Sequence, residues 1–214
     1  MRRFLIVTAV CLALWLHPST TKAQFAGKAT RDDFRDTSIL RPPAGSNVAM
    51  IVFEDLGCPS CARAHPYELE AVAKTHVTLV RYDFPLAAHV WTFDGAVCAR
   101  YIQDKISPKL AADFRTDVFT SQSLISSKED INKFTSVWLQ KHGQKMPAVI
   151  DPDGSLAKKV QADYDLGQRL NVEFTPTIVV VTHNEYQAVC GTADGQCDPT
   201  KILAVVQGAM AQAK

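Results

Sequence analysis

Residues 48–53 read VAMIVF, an unbroken apolar run of strand length with no polar face to turn toward water. Such a run fits a strand buried on both sides of a sheet, which requires helices on both faces. EDLGCPSC (residues 54–61) follows at once and leads into ARAHPYELEAVAKTH, where Ala62, Leu69, Val72 and Ala73 recur at helical spacing. Pro59 is acceptable in a first turn, so Cys58 falls at a helix N-terminus; Pro66 lacks a backbone donor and is expected to kink the helix. VTLVRYDF (residues 77–84) then alternates like a strand and completes a strand, helix, strand unit.

Beyond this unit the strand signal fades. Helical patterns cover residues 89–105, 108–119, 128–142 and 155–170; DPDGS (151–155) is the clearest break, with an N-cap at Asp153 or Ser155. TIVVVT (177–182) is a β-branched strand that pairs with residues 186–190 across His183-Asn184-Glu185. Residues 198–210 form an amphipathic helix with Ile202, Val205, Val206 and Met210 on one face. Ahead of the first strand, residues 24–47 read as a polar arm, with a short helix near 31–37 and a break at RPPAG (41–45).

MRRFLIVTAVCLALWLHPSTTKAQF, at the start of the chain, has two arginines, a short apolar run and a small residue at Ala23. This pattern is expected to be a secretory signal peptide over residues 1–23, cleaved after Ala23. Cys11 lies within the apolar run and follows Val10, which disfavours lipidation. Removing Arg2, Arg3 and Lys22 from the 23 basic residues leaves 20 against 22 acidic ones, a net charge of −2. No basic patch points to nucleic acid, and no second apolar run suits a membrane span. With 214 residues, 47% of them hydrophobic, the chain can bury a core without help from disulfides.

Export sets the redox chemistry, because disulfides persist outside the cytosol. The mature chain keeps Cys58, Cys61, Cys98, Cys190 and Cys197, an odd number. CPSC alone is compatible with a zinc clamp, a staple or a redox centre. The helix start favours redox chemistry, since unpaired amides and the helix dipole stabilise a Cys58 thiolate. Cys61, one turn on and facing inward, then resolves the mixed disulfide. A zinc site would join Cys58, Cys61 and His65 but lacks a fourth ligand, so neither metal nor cofactor is expected. Cys98 reads as a buried, inert thiol, and His89 as a residue that caps or packs. Cys190 and Cys197 enclose GTADGQ and read as a structural disulfide, with a second redox pair as the alternative.

The order of FEDLGCPSC, RYDFPLAAH (81–89) and LNVEFTPT (170–177) around a helical block resembles the DsbA-like branch of the thioredoxin superfamily. The resemblance implies an α/β thioredoxin fold with an all-helical insertion. Residues 48–85 and 172–214 would form the thioredoxin-fold domain and residues 86–171 the insertion. It also implies a cis bond before Pro176, substrate binding at Thr175 by strand addition, and tuning of the pair by Pro59 and Ser60. The activity implied is that of an exported, periplasmic thiol-disulfide oxidase, a monomer, passing the Cys58–Cys61 disulfide to folding exported proteins. A membrane quinone-linked partner, DsbB- or VKOR-like, would reoxidise it. One departure stands out: many relatives carry a buried acid six positions before the first cysteine, and here that position is Val52. Glu54 and Asp55 are the remaining candidates for proton transfer. The alternatives are a reductase or isomerase, the latter disfavoured by the short arm, and a non-catalytic metal- or client-binding module.

Overall fold

The computed structural model describes residues 34–191 and 196–213. The expected signal peptide and residues 24–33 of the arm lie outside the described residues. Strand β1 (Val48–Glu54) is buried at every position. Helix α1 (Pro59–Thr75) follows, then β2 (Thr78–Asp83), and β1 and β2 run parallel. Four helices come next: α2 (Thr92–Lys105), α3 (Pro108–Thr120), α4 (Lys128–Lys141) and α5 (Ser155–Leu170). The hairpin β3 (Thr177–Thr182) and β4 (Tyr186–Cys190) adds antiparallel strands to the other side of β1, and α6 (Ile202–Gln212) ends the described chain. The sheet order is β2-β1-β3-β4, an α/β thioredoxin fold with a helical insertion between β2 and β3.

The strand period of two divides the core. Met50, Val52, Ile178 and Val180 face Ala64 and Ala71 of α1 and Ile202, Val206 and Ala209 of α6. Ala49, Ile51, Phe53, Val179 and Val181 face the opposite way, against Phe84, Leu170, Phe34 and Leu40. A third cluster joins Leu56, Cys58 and Cys61 to Trp91, Phe114, Ile131 and Trp138 of the insertion. CPSC therefore lies on a seam: Cys58 and Cys61 pack against the insertion while Ala64 and Ala71 of α1 pack on the sheet. No helix among the described residues is long and apolar enough to cross a membrane.

The structure corrects several local expectations. The short helix near 31–37 reduces, within the described residues, to one 3₁₀ turn at Thr37–Ile39, because the Asp36 side chain accepts from the Ser38 amide and sets a turn. Helix α2 starts at Thr92 and not at His89, since the carbonyl of His89 takes both the amide and the hydroxyl of Thr92 and so ends a preceding turn. The cap of α5 comes from Asp151. Gly154, at φ 69°, turns the chain back so that the Asp151 carboxylate accepts from the amides of Leu156 and Ala157, while Asp153 takes only the Ser155 amide. Helix α1 runs through Pro66 to Thr75, a course that the expected kink allows. The last helix begins as a 3₁₀ turn, Pro199–Lys201, with Val205 and Met210 partly buried beside the fully buried Ile202 and Val206.

Candidate active site

Cys58 is the N-cap of α1, with extended backbone and Pro59 at the first helical position. Its carbonyl accepts from the Ala62 amide at 3.1 Å, and its Sγ lies 3.2 Å from the carbonyl oxygen of Thr175. Cys61, only 1% exposed, sits beneath it, its Sγ accepting from the Asp55 amide at 3.5 Å. The Thr175–Pro176 peptide is cis, and the Thr175 hydroxyl is buried with no hydrogen-bond partner among the described residues. Ser60 points outward and accepts from Arg63 at 2.8 Å.

The two thiols differ in acidity. The Cys61 side chain donates a hydrogen bond to Cys58 and pulls its pKa down to about 5; burial opposes this, and contact with Thr175 and the amides of Cys61 and Ser60 add to it. Burial drives Cys61 in the other direction, well above the ordinary thiol range, and the Cys58 contact reinforces the shift. Burial likewise lifts Cys98 to about 11, in keeping with an inert thiol. One sulfur at the helix start is thus primed to be an anion, and its partner a turn below is primed to stay protonated.

Asp55 organises the loop between β1 and α1. Its buried carboxylate accepts from the amides of Gly57 and Leu86 and from Nδ1 of His89, each at 2.7 Å, and its carbonyl accepts from the Cys58 amide at 3.0 Å. Gly57 must be glycine because an added Cβ would lie 2.5 Å from the Thr92 methyl and 3.1 Å from Cβ of His89. Gln122, just beyond α3, donates to the carbonyls of Leu56 and Cys58 at 2.6 and 3.1 Å. Glu54, at the end of β1, faces Arg81 at 2.7 Å and Arg115 at 2.9 Å; Arg115 also reaches Asp83 at 2.8 Å, and Arg100 joins Asp83 to Asp163.

Glu54 and Asp55, named for proton transfer, therefore both have carboxylates occupied by donors. The contact Asp55 makes with Cys61 is through its amide. Val52 is fully buried in the core shared by β1, α1 and α6. The ligand set Cys58, Cys61 and His65 is not assembled, because His65 turns Nε2 to Thr116 at 2.8 Å and Nδ1 toward Glu68 at 3.7 Å. The potential ligands that do gather among the described residues are Glu54, His65 and Glu68, and there Arg81 pairs with both glutamates and Arg115 with Glu54, which disfavours a cation.

Cys190 and Cys197 are disulfide-bonded and pair as an isolated β-bridge. Gly191, at φ 78°, lies so close to Thr177 that an added Cβ would fall 2.1 Å from its hydroxyl. Replacing both cysteines by alanine is expected to lower stability by about 2.5 kcal/mol, the chain-entropy value for so short a loop, and to spare the chemistry at Cys58. Urea unfolding and a redox assay on the same variant check this; lost redox activity with the fold intact would instead mark a second redox pair.

A family model described as Thioredoxin matches residues 43–189. The chain belongs to the thioredoxin family. Solved structures similar to this thioredoxin-family chain include alpha-DsbA1 of Wolbachia pipientis, 18% identical, covering 81% of this chain and 90% of that one at a TM-score of 0.62. BdbD of Bacillus subtilis, in its oxidised form, is 17% identical over 79% of this chain and 89% of that one, TM-score 0.59. ScsC of Proteus mirabilis, in a transitional conformation, is 14% identical over 79% and 70%, TM-score 0.61. A comparison with curated proteins finds no match. With an activated Cys58 above a buried Cys61, the chain is a thioredoxin-family oxidoreductase resembling the DsbA enzymes in fold.

The sequence reading named both reactive cysteines and Thr175-Pro176 but missed three residues that hold the loop. His89, inside RYDFPLAAH, was expected to cap or pack, but its link to Asp55 was not foreseen. Gln122 and Arg115 carry no local signal, since each acts through a contact with a residue more than 60 positions away in sequence.

Proposed function

We propose that this protein is an exported thiol-disulfide oxidase that donates the Cys58–Cys61 disulfide to folding proteins. The observation that carries the reading is the opposed acidity of the two thiols. A client thiolate attacks the Cys58 sulfur, the disulfide opens, and Cys61 departs and takes up a proton. The client's second thiolate then attacks the client sulfur of the mixed disulfide, and Cys58 leaves as a stabilised thiolate. The client loses two electrons, which remain on the Cys58–Cys61 dithiol. Stabilising the leaving thiolate favours the reduced enzyme and makes the disulfide a stronger oxidant.

Apolar residues around Cys58 suit an unfolded client. Val90, Leu124 and Phe174 are exposed by 63%, 77% and 43%, and each adjoins a loop that touches the reactive segment through His89, Gln122 or Thr175. Reoxidation falls to a quinone-linked membrane partner of the DsbB or VKOR kind, and the N-terminal segment directs export to the periplasm, where the protein acts as a monomer.

Alkylation of the reduced protein across pH is expected to show a Cys58 midpoint near about 5, with Cys61 and Cys98 far behind. The depressed pKa stabilises the reduced form fully above the unfolded thiol value of about 8.5. That stabilisation is lost as the pH falls through about 5. Equilibration with glutathione should then give a potential more positive than about −200 mV, together with oxidation of a reduced test protein. A potential near −270 mV with efficient insulin reduction would make the protein a reductase. A Cys58 that titrates like a free thiol would leave only a binding module.

A further inference from the structure

A groove of about 310 Å³ opens between the turn that follows α3 and one face of α4, lined by Leu124, Ile125, Lys133, Phe134, Val137 and Lys141 among others. It adjoins the reactive centre: Gln122, two residues before Leu124, is bonded to the carbonyls of Leu56 and Cys58. Its apolar rim is open to water, with Leu124 exposed by 77% and Val137 by 44%. Neither lysine has an acidic partner among the described residues, and the one carboxylate in the lining, Asp130, is held by Ser126 and Ser127. Lys133, Val137 and Lys141 follow one another at four-residue intervals on α4. A rise of about 1.5 Å per residue therefore puts the valine about 6 Å, and the second lysine about 12 Å, along the groove.

An extended chain advances about 3.3 Å per residue and turns every second side chain to the same side, so residues i, i+2 and i+4 fall near 0, 6.6 and 13 Å. An acidic, an apolar and an acidic side chain at those positions match the lysine, valine, lysine stripe in both spacing and charge. We propose that this groove is a second client-binding surface beside the reactive pair, selecting extended client segments of the form acidic-x-apolar-x-acidic near the cysteine to be oxidised. The inference rests on the oxidase reading for its biological sense but not for its physical test. Bare apolar clients would gain from Leu124 and Val137 alone, whereas basic ones would be repelled by the lysines.

The test uses peptides carrying Glu-x-Leu-x-Glu, Lys-x-Leu-x-Lys or Gln-x-Ser-x-Gln at several distances from a cysteine pair. Versions with serine in place of cysteine report binding alone, by fluorescence anisotropy. The Glu peptide should bind and be oxidised with a Kd and KM roughly tenfold lower than the Lys peptide, as two exposed charge pairs supply. The variant Lys133→Glu/Lys141→Glu, changed only at the surface, should reverse that order while kcat and the oxidation of dithiothreitol stay unchanged. Added salt should shrink the difference. Equal affinities for the three peptides, or an order that the charge reversal leaves intact, would overturn the proposal. So would selective binding of the wild type to anionic lipid vesicles with no discrimination among the peptides. If the serine peptides bind selectively but dithiothreitol is not oxidised, the groove stands and the oxidase reading falls.

Discussion

A Cys61→Ala variant is expected to accumulate covalent complexes with exported proteins through Cys58, seen as high-mass bands that vanish on reduction. In the native pair a mixed disulfide has two exits: attack by the client's second thiol, or attack by Cys61 on Cys58. The variant has no disulfide of its own, so with glutathione disulfide present the Cys58 thiolate first takes up one glutathione and expels the other, and a client thiolate then displaces the bound glutathione. Removing Cys61 closes the second exit, and a client with a single available thiol stays trapped. It also removes the hydrogen bond that contributes most to the acidity of Cys58, so trapping should be slower at neutral pH than the wild-type encounter rate and should speed up as the pH rises. Catalysed oxidation of a reduced test protein should fall to the uncatalysed level. A Cys58→Ala variant should give no complexes at all. Should Cys61→Ala trap nothing while folded and alkylatable at Cys58, catalysis would be abandoned for a client-binding module.

The largest stability effect is expected at Arg115. Its guanidinium is 3% exposed and bridges Glu54 at 2.9 Å and Asp83 at 2.8 Å, two carboxylates that are themselves buried. Arg115→Leu fills much of the volume but leaves those charges facing each other without the cation. Breaking a buried pair by removing one partner costs about 3–5 kcal/mol, a large share of the total stability of a domain this size. Urea unfolding should show the loss as a lower midpoint with little change in slope. Arg115→Lys should fall between, since a single ammonium cannot serve both carboxylates in the geometry of a guanidinium. A loss below about 1 kcal/mol for Arg115→Leu would mean that Arg81 and Arg100 compensate on their own. Because Glu54 ends the strand that leads into CPSC, reactivity at Cys58 should also weaken in the destabilised variant.

Much of the fold was legible because its signals are local. VAMIVF and TIVVVT declare buried strands by composition, and Pro59 marks the start of α1; the caps that Ser107 and Ser127 supply to α3 and α4 were not singled out. Boundaries failed where a side chain elsewhere settled the matter. Asp151 displaced the nearer Asp153 and Ser155 as the cap of α5 once Gly154 had turned the chain. At the site, Cys58 and Cys61 could be read from four residues, because a helix start and a buried next turn follow from spacing alone. The proton-transfer candidates were chosen by proximity in sequence. What sequence proximity hides is that Glu54 belongs to an arginine network and Asp55 to the loop it braces; partners such as Arg81, Arg115, Leu86 and His89 lie 27 to 61 residues away.

The contacts that complete the reactive loop also have a bearing on timing. Gln122 stands 64 residues from Cys58, and Thr175 stands 117 residues from it. Contacts of such separation form late, after the local turns and helices have taken shape. A copy of this chain still emerging or still unfolded carries CPSC without Gln122 on its carbonyls, without Thr175 beside the sulfur and without the insertion covering Cys61. Its two thiols are then ordinary cysteines, slow to ionise and no more reactive than those of any client. The full contrast between Cys58 and Cys61 is acquired only once the insertion covers Cys61 and the final hairpin brings Thr175 to the Cys58 sulfur, so the reactive pair is a product of the finished fold.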